Sequence, residues 1–127
     1  MSNLSEVFGA AKVESTLLVL FIPSVDRDSL PIDREMWVQA ALVLLGRLFG
    51  GATAMPAGRG VWRDDSAGGS LVFDSPVLIH CYTSDSEIDR HASELHLFLR
   101  RLGKETNQGA VGFVIDRHYL EIRLDSE

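Results

Sequence analysis

The stretch Gly58-Arg59-Gly60-Val61-Trp62-Arg63-Asp64-Asp65 concentrates the side chains best suited to recognise a ligand. Arg59 and Arg63 each offer a planar fork to a carboxylate or phosphate, and the Trp62 indole offers a stacking face between them. Gly58 and Gly60 let a ligand approach the backbone closely. With Asp64, these residues are candidate ligand contacts, and a small anion is the expected ligand. A purely structural reading competes: a hairpin at a sheet edge, Trp62 packed on the sheet and Arg63 paired with Asp64 or Asp65. The glycines are not a phosphate loop, because neither GxxxxGK[ST] nor a GxGxxG at a strand–helix junction occurs.

His80 and Tyr82 form a second candidate pair. They alternate with Leu78 along one strand and so share a face. An imidazole beside a phenol can exchange a proton with a substrate; the bland alternative is a half-buried histidine bonded to backbone. His91 and His96 diverge by about 140° on a helix of 3.6 residues per turn, no HExxH occurs, and the lone Cys81 has no CxxC partner. Neither a metal nor a cofactor is therefore expected. Cys81 reads as a small core residue with a raised thiol pKa, and no GxSxG elbow supports a nucleophile. Asp26, Asp28 and Asp33 lack the spacing of a calcium loop and read as loop carboxylates plus a helix cap. Glu105, Asn107 and Gln108 suit a site wall and an ordinary helix-to-strand loop equally well.

The elements that must position these residues follow from pattern. Thr16–Ile22 (TLLVLFI) is a strand stopped by Pro23. Asp33 caps a helix whose buried face is Trp37, Ala41, Leu44 and Leu48, ended by Gly50-Gly51. Residues 53–63 and 70–82 read as a long irregular hairpin around DDSAGG, with Pro56 and Pro76 marking an edge and a bulge. Ser84-x-x-Glu87 is a capping box opening a second helix with Ile88, Ala92, Leu95, Leu99 and Leu102 inward and Gly103 as its stop. Ala110–Ile115 and Tyr119–Leu124 are the last strands, joined by Asp116-Arg117-His118. The order is β-α-β-β-α-β with an extra C-terminal strand. The expected class is α+β, a ferredoxin-like two-layer sandwich over residues 15–127, with residues 1–14 as a flexible N-terminal arm.

Bulk properties narrow the function. The chain has 127 residues, 46% hydrophobic and 24% charged, as one soluble globular domain should. Its formal charge of −6 disfavours nucleic acid as a partner. The N-terminus lacks a signal-peptide pattern and no apolar run approaches the ~20 residues of a membrane span, so a cytoplasmic location with no membrane contact is expected.

Three blocks, FIPS-x-DRD-x-x-PID-x-E-x-W, LFGGATA-x-P-x-GRGVWRDD-x-x-GG and RRLG-x-E-x-NQG-x-VGFVID, resemble a group of small bacterial proteins with ferredoxin-like domains of unknown function. The resemblance spans most of residues 17–122, with GRGVWRDD its most specific part. It implies an association with restriction–modification or other anti-phage genes, and no catalytic residues come with it.

Two functional classes follow. The first is a small binding or accessory module acting through a protein partner or a bound anion. The second is a cofactor-free isomerase or hydrolase for a small anionic substrate, with His80 or Tyr82 as acid–base. The strands also bear on assembly. Leu17 to Ile22 is apolar on both faces, whereas a sheet with one wet face should alternate. A homodimer packed through the open sheet face, or a protein partner there, is expected. An N-terminal arm folding back with Leu4, Val7 and Phe8 would serve the same end.

Overall fold

A computed structural model describes residues 2–124. Its elements are α1 (Ser2–Val7), β1 (Thr16–Ile22), α2 (Arg34–Phe49), β2 (Thr53–Ala54), β3 (Gly60–Asp64), β4 (Ser70–Asp74), β5 (Val77–Thr83), α3 (Asp85–Arg90), α4 (Ala92–Glu105), β6 (Ala110–Ile115) and β7 (His118–Arg123). The fold is α+β. Five strands form an antiparallel sheet in the order β2-β5-β1-β6-β7, and β3 pairs with β4 in a separate two-stranded sheet.

The β1 strand sits at the centre, so its two-faced apolarity has a direct cause. Leu18, Leu20 and Ile22 are fully buried under the helices, beside Ile79 and Cys81 of β5 and Phe113 of β6. Leu17, Val19 and Phe21 point to the other face, level with Tyr82, His80 and Leu78. Among the described residues no helix covers that face. The N-terminal arm does not cover it either: Leu4, Val7 and Phe8 are exposed.

Helix α2 starts as its sequence requires, the Asp33 carboxylate accepting from the Met36 amide at 3.1 Å, and stops at Gly50 with φ 92°. Its buried face is rotated from the expected one. Val38, Leu45 and Phe49 are buried with Trp37 and Ala41, while Leu44 and Leu48 are only partly covered. The second helical segment also departs from expectation. The Ser84 cap forms, accepting from the Glu87 amide, but the helix breaks at His91 into α3 and α4. The His91 ring packs edge-on against Phe49 at 5.8 Å. The break shifts the helical phase, exposing Ala92 and burying Phe98 against Trp37.

Gly103 does not end the helix; it lies inside α4, where a Cβ would overlap Leu124 and Val111. It is a close-packing residue between α4 and the β6 side of the sheet. The expected long hairpin is divided. Ala54 and Thr53 pair with β5, Met55 and Gly58 donate to the Leu78 and Pro76 carbonyls, and then β3–β4 leaves the sheet as its own unit. Pro76 causes the division, since it has no N–H to continue a ladder from β4 into β5.

On the open face, Gly112 lies on β6, the strand next to the β1 strand of Phe21, and the Tyr119 ring of β7 occupies the space where its Cβ would be. Tyr119 meets Phe21 edge-to-face at 6.4 Å. Gly112→Ala should drive the phenol off the sheet at a cost of roughly 1–3 kcal/mol. For a domain of this size that lowers Tm by about 3–15 °C. Adding Tyr119→Ala removes the clash, so thermal melts of the double variant should show the Gly112 penalty shrink to within about 0.5 kcal/mol.

Candidate functional site

The β3–β4 hairpin stands beside the open sheet face, and a groove of about 640 Å³ lies between them. One wall is the hairpin and its approach, from Arg59 to Ser66. The other is sheet: Phe21, Leu78, Gly112, Tyr119, Glu121 and Arg123. Along the hairpin Trp62 and Val72 are opposite partners on the face turned toward the body, Val72 buried and Trp62 half-buried. Val61, Leu71 and Phe73 stay exposed on its outer face.

The hairpin is held in place at both ends. At its base, Asp74 accepts from the Ser24 amide and hydroxyl, both at 3.0 Å, and Arg34 donates to the Ser75 carbonyl at 2.7 Å. At its turn, the buried Asp64 carboxylate accepts from Arg27 through both oxygens at 3.2 Å and from the Ser66 hydroxyl at 2.7 Å. Arg27 also donates to Ser66. Its guanidinium lies over Gly109, 3.2 Å from where a side chain would begin. The Arg27 amide bonds the Asn107 carbonyl, and Gln108 donates to the Val25 carbonyl, so the β1–α2 loop, the α4–β6 loop and the hairpin turn form one unit.

The electrostatics follow from these contacts. The Ser66 hydrogen bond, helped by the Arg27 charge, holds Asp64 below its ordinary 3.8 against the opposing pull of burial. Asp26 is opposed by burial too, yet the Leu30 and Asp28 amides and the Asn107 side chain keep its carboxyl low. Burial, and then the Glu121 charge, raise the Tyr119 phenol; burial raises the Cys81 thiol, with Glu14 adding to it.

Of the candidates read from sequence, Arg59, Trp62, Arg63 and Asp64 line the groove together, whereas His80 and Tyr82 do not. Both lie on the open face but farther along β5, level with Val19 and Leu17, and Tyr82 is exposed. Arg63 pairs with Asp65 at 2.5 Å and Asp64 with Arg27, which leaves Arg59 as the one of the two arginines with no carboxylate beside it. The groove also contains residues that were not singled out: Phe21, Tyr119, Glu121 and Arg123. The alternation of Tyr119, Glu121 and Arg123 with Leu120, Ile122 and Leu124 in the last strand places three of these on one face, a usable signal. Arg27, which holds the hairpin, carried no local signal, because its partner lies 37 residues away. Among the described residues no group of His, Cys, Asp and Glu could hold a metal ion, and no helix is long and apolar enough to cross a membrane.

Asp64→Asn removes the buried carboxylate that Arg27 and Ser66 both bond and should cost about 2 kcal/mol at pH 7. Because the folded Asp64 pKa is depressed, its contribution is present above the unfolded value of 3.8 and is lost as pH falls through the folded value. Urea midpoints at pH 7 and pH 3 should therefore lie closer together for Asp64→Asn than for the parent. An equal separation would deny Asp64 this role.

No family model and no curated protein matches the chain. Among solved structures it is similar to a phage SAM lyase in complex with S-methyl-5′-thioadenosine, with a TM-score of 0.69 and 15% identity, over 92% of this chain and 98% of that one. It is also similar to a phage SAM lyase in the apo state, with a TM-score of 0.61 and 18% identity, over 88% and 91% of the two chains. At these identities the likeness is one of fold.

Proposed function

We propose that the chain is a small-molecule enzyme that takes an adenosine sulfonium in the groove and cleaves one of its carbon–sulfur bonds, S-adenosylmethionine being the substrate. The observation that carries this reading is the groove itself. Its volume falls in the range of ~300–1,000 Å³ usual for small-molecule sites, and it joins an aromatic floor to a wall bearing carboxylates. The likeness in fold to a phage SAM lyase supports the choice of substrate.

The chemistry asks little of acid–base groups, which fits a groove that His80 does not enter. When the carbon–sulfur bond of the amino-acid arm breaks, its electron pair stays on sulfur and S-methyl-5′-thioadenosine leaves as a neutral thioether. The substrate's own carboxylate oxygen bonds to the freed carbon and closes a lactone, so no proton donor is needed. The faces of Phe21 and Tyr119 can hold the cationic sulfur, and their apolar surroundings favour the charge-dispersed transition state over the localised charge of the substrate. Glu121 can accept from ribose hydroxyls.

We also propose that the five-stranded sheet is a ferredoxin-like core. The order β2-β5-β1-β6, with α2 crossing from β1 to β2 and α3–α4 from β5 to β6, supports it; β3–β4 is then an insertion and β7 an addition. A second copy, packed on the part of the open face carrying Leu17, Val19 and Tyr82, is proposed as its cover. Light scattering at micromolar concentration should give twice the chain mass, unchanged by deletion of residues 1–14. A monomer would end this assembly reading.

Incubating the chain with S-adenosylmethionine and separating the products by chromatography tests the activity. S-methyl-5′-thioadenosine should accumulate, and Tyr119→Ala should lower kcat/KM about tenfold through loss of the aromatic contact. Intact substrate after prolonged incubation with folded protein would overturn the reading.

A further inference from the structure

Resting on the nucleoside reading above, we infer that Arg59 is the anion anchor of the groove and restricts its substrates to nucleosides whose 5′ arm ends in a carboxylate. The inference comes from how charge is distributed around the groove. Arg63 is paired with Asp65 and Arg123 with Glu121, the latter at 3.5 Å. Asp64 is paired with Arg27, and Asp74 is taken up by Ser24. Among the described residues Arg59 alone of the groove arginines has no carboxylate partner, and its side chain is exposed at the groove wall. An incoming carboxylate would complete a pattern in which the other groove arginines are already matched.

The backbone around Arg59 is built to hold that guanidinium in one region. Gly58 is pinned on both sides of its peptide, its amide donating to the Pro76 carbonyl and its carbonyl accepting from the Ser75 hydroxyl, each at 2.9 Å. Gly60 is the first ladder residue of β3, opposite Asp74, and lies in ordinary contact with the Pro76 ring. Arg59 therefore has a fixed Cα between two fixed neighbours, with only its side chain free. That lowers the entropy lost when a planar fork closes on a carboxylate. A methylthio arm offers Arg59 nothing, whereas an amino-acid arm on the same sulfur brings a carboxylate to it.

Titration calorimetry with two probes separates the outcomes. S-adenosylhomocysteine carries the amino-acid arm, S-methyl-5′-thioadenosine lacks it, and neither carries a sulfonium to be cleaved. The parent chain should bind the first about tenfold more tightly than the second, the contribution of one charge-assisted pair at a half-open site. Arg59→Ala should bring that ratio to near one, and Arg59→Lys should retain part of it. If S-methyl-5′-thioadenosine binds and the ratio is already one, or survives Arg59→Ala, Arg59 is not the anchor while the nucleoside reading stands. If neither probe binds at millimolar concentration, the nucleoside reading fails and the anchor fails with it.

Discussion

The Arg27–Asp64 pair is the contact on which the groove depends. A two-stranded hairpin has too little apolar surface to hold its own position, and β3–β4 shares no ladder with the main sheet. Trp62 and Val72 give it one apolar anchor, but non-directional burial does not select an angle. The contact from one Arg27 guanidinium nitrogen to both Asp64 oxygens, shared with Ser66 and laid over Gly109, does select one. Breaking it leaves the buried Asp64 carboxylate without the guanidinium opposite it. The hairpin stands off the sheet, and a concave space exists between them, because that alternative is expensive.

The sheet face across the groove is shaped by a different constraint. Helices fill one side of a five-stranded antiparallel sheet, and the central strand β1 is apolar on both sides. On the open side, neighbouring side chains shield one another, and Val19 is buried without any covering helix. Gly112 removes a side chain from this surface, and Tyr119 fills the vacated space with its ring, set edge-on to Phe21. The result is an aromatic floor of two rings inclined at 62° to each other, an apolar surface that a nucleobase or a sulfonium methyl can lie against.

Charge in the groove is nearly self-compensated, which changes the meaning of the Arg-Trp-Arg stretch. In sequence, Arg59 and Arg63 look like equivalent arms of a clamp. In the fold they differ: Arg63 is held by Asp65, whereas Arg59 is displayed on a pinned backbone. A site that has spent most of its charges on itself favours a zwitterionic or mostly apolar ligand over a polyanion. The chain's net charge of −6 points the same way.

Local chemistry determined most of what could be read without the fold. The Asp33 and Ser84 caps, the Gly50 stop and the β1 strand are written in adjacent residues, because capping and ladder formation depend on side chains a few positions apart. The α+β class and the crowding of polar groups around residues 59–65 were legible for the same reason. The break at His91, the rotated face of α2 and the interior place of Gly103 were not, since each depends on what a distant segment brings against it: Phe49, Phe98, or Val111 with Leu124. The site shows the division most clearly. Sequence alone placed Arg59, Trp62, Arg63 and Asp64 in one hairpin, but tertiary structure decided that Phe21, Tyr119 and Glu121 face them and that His80 and Tyr82 do not. A groove is a relation between surfaces far apart in the chain, and only long-range contacts such as Arg27 with Asp64 set the distance and angle that create it.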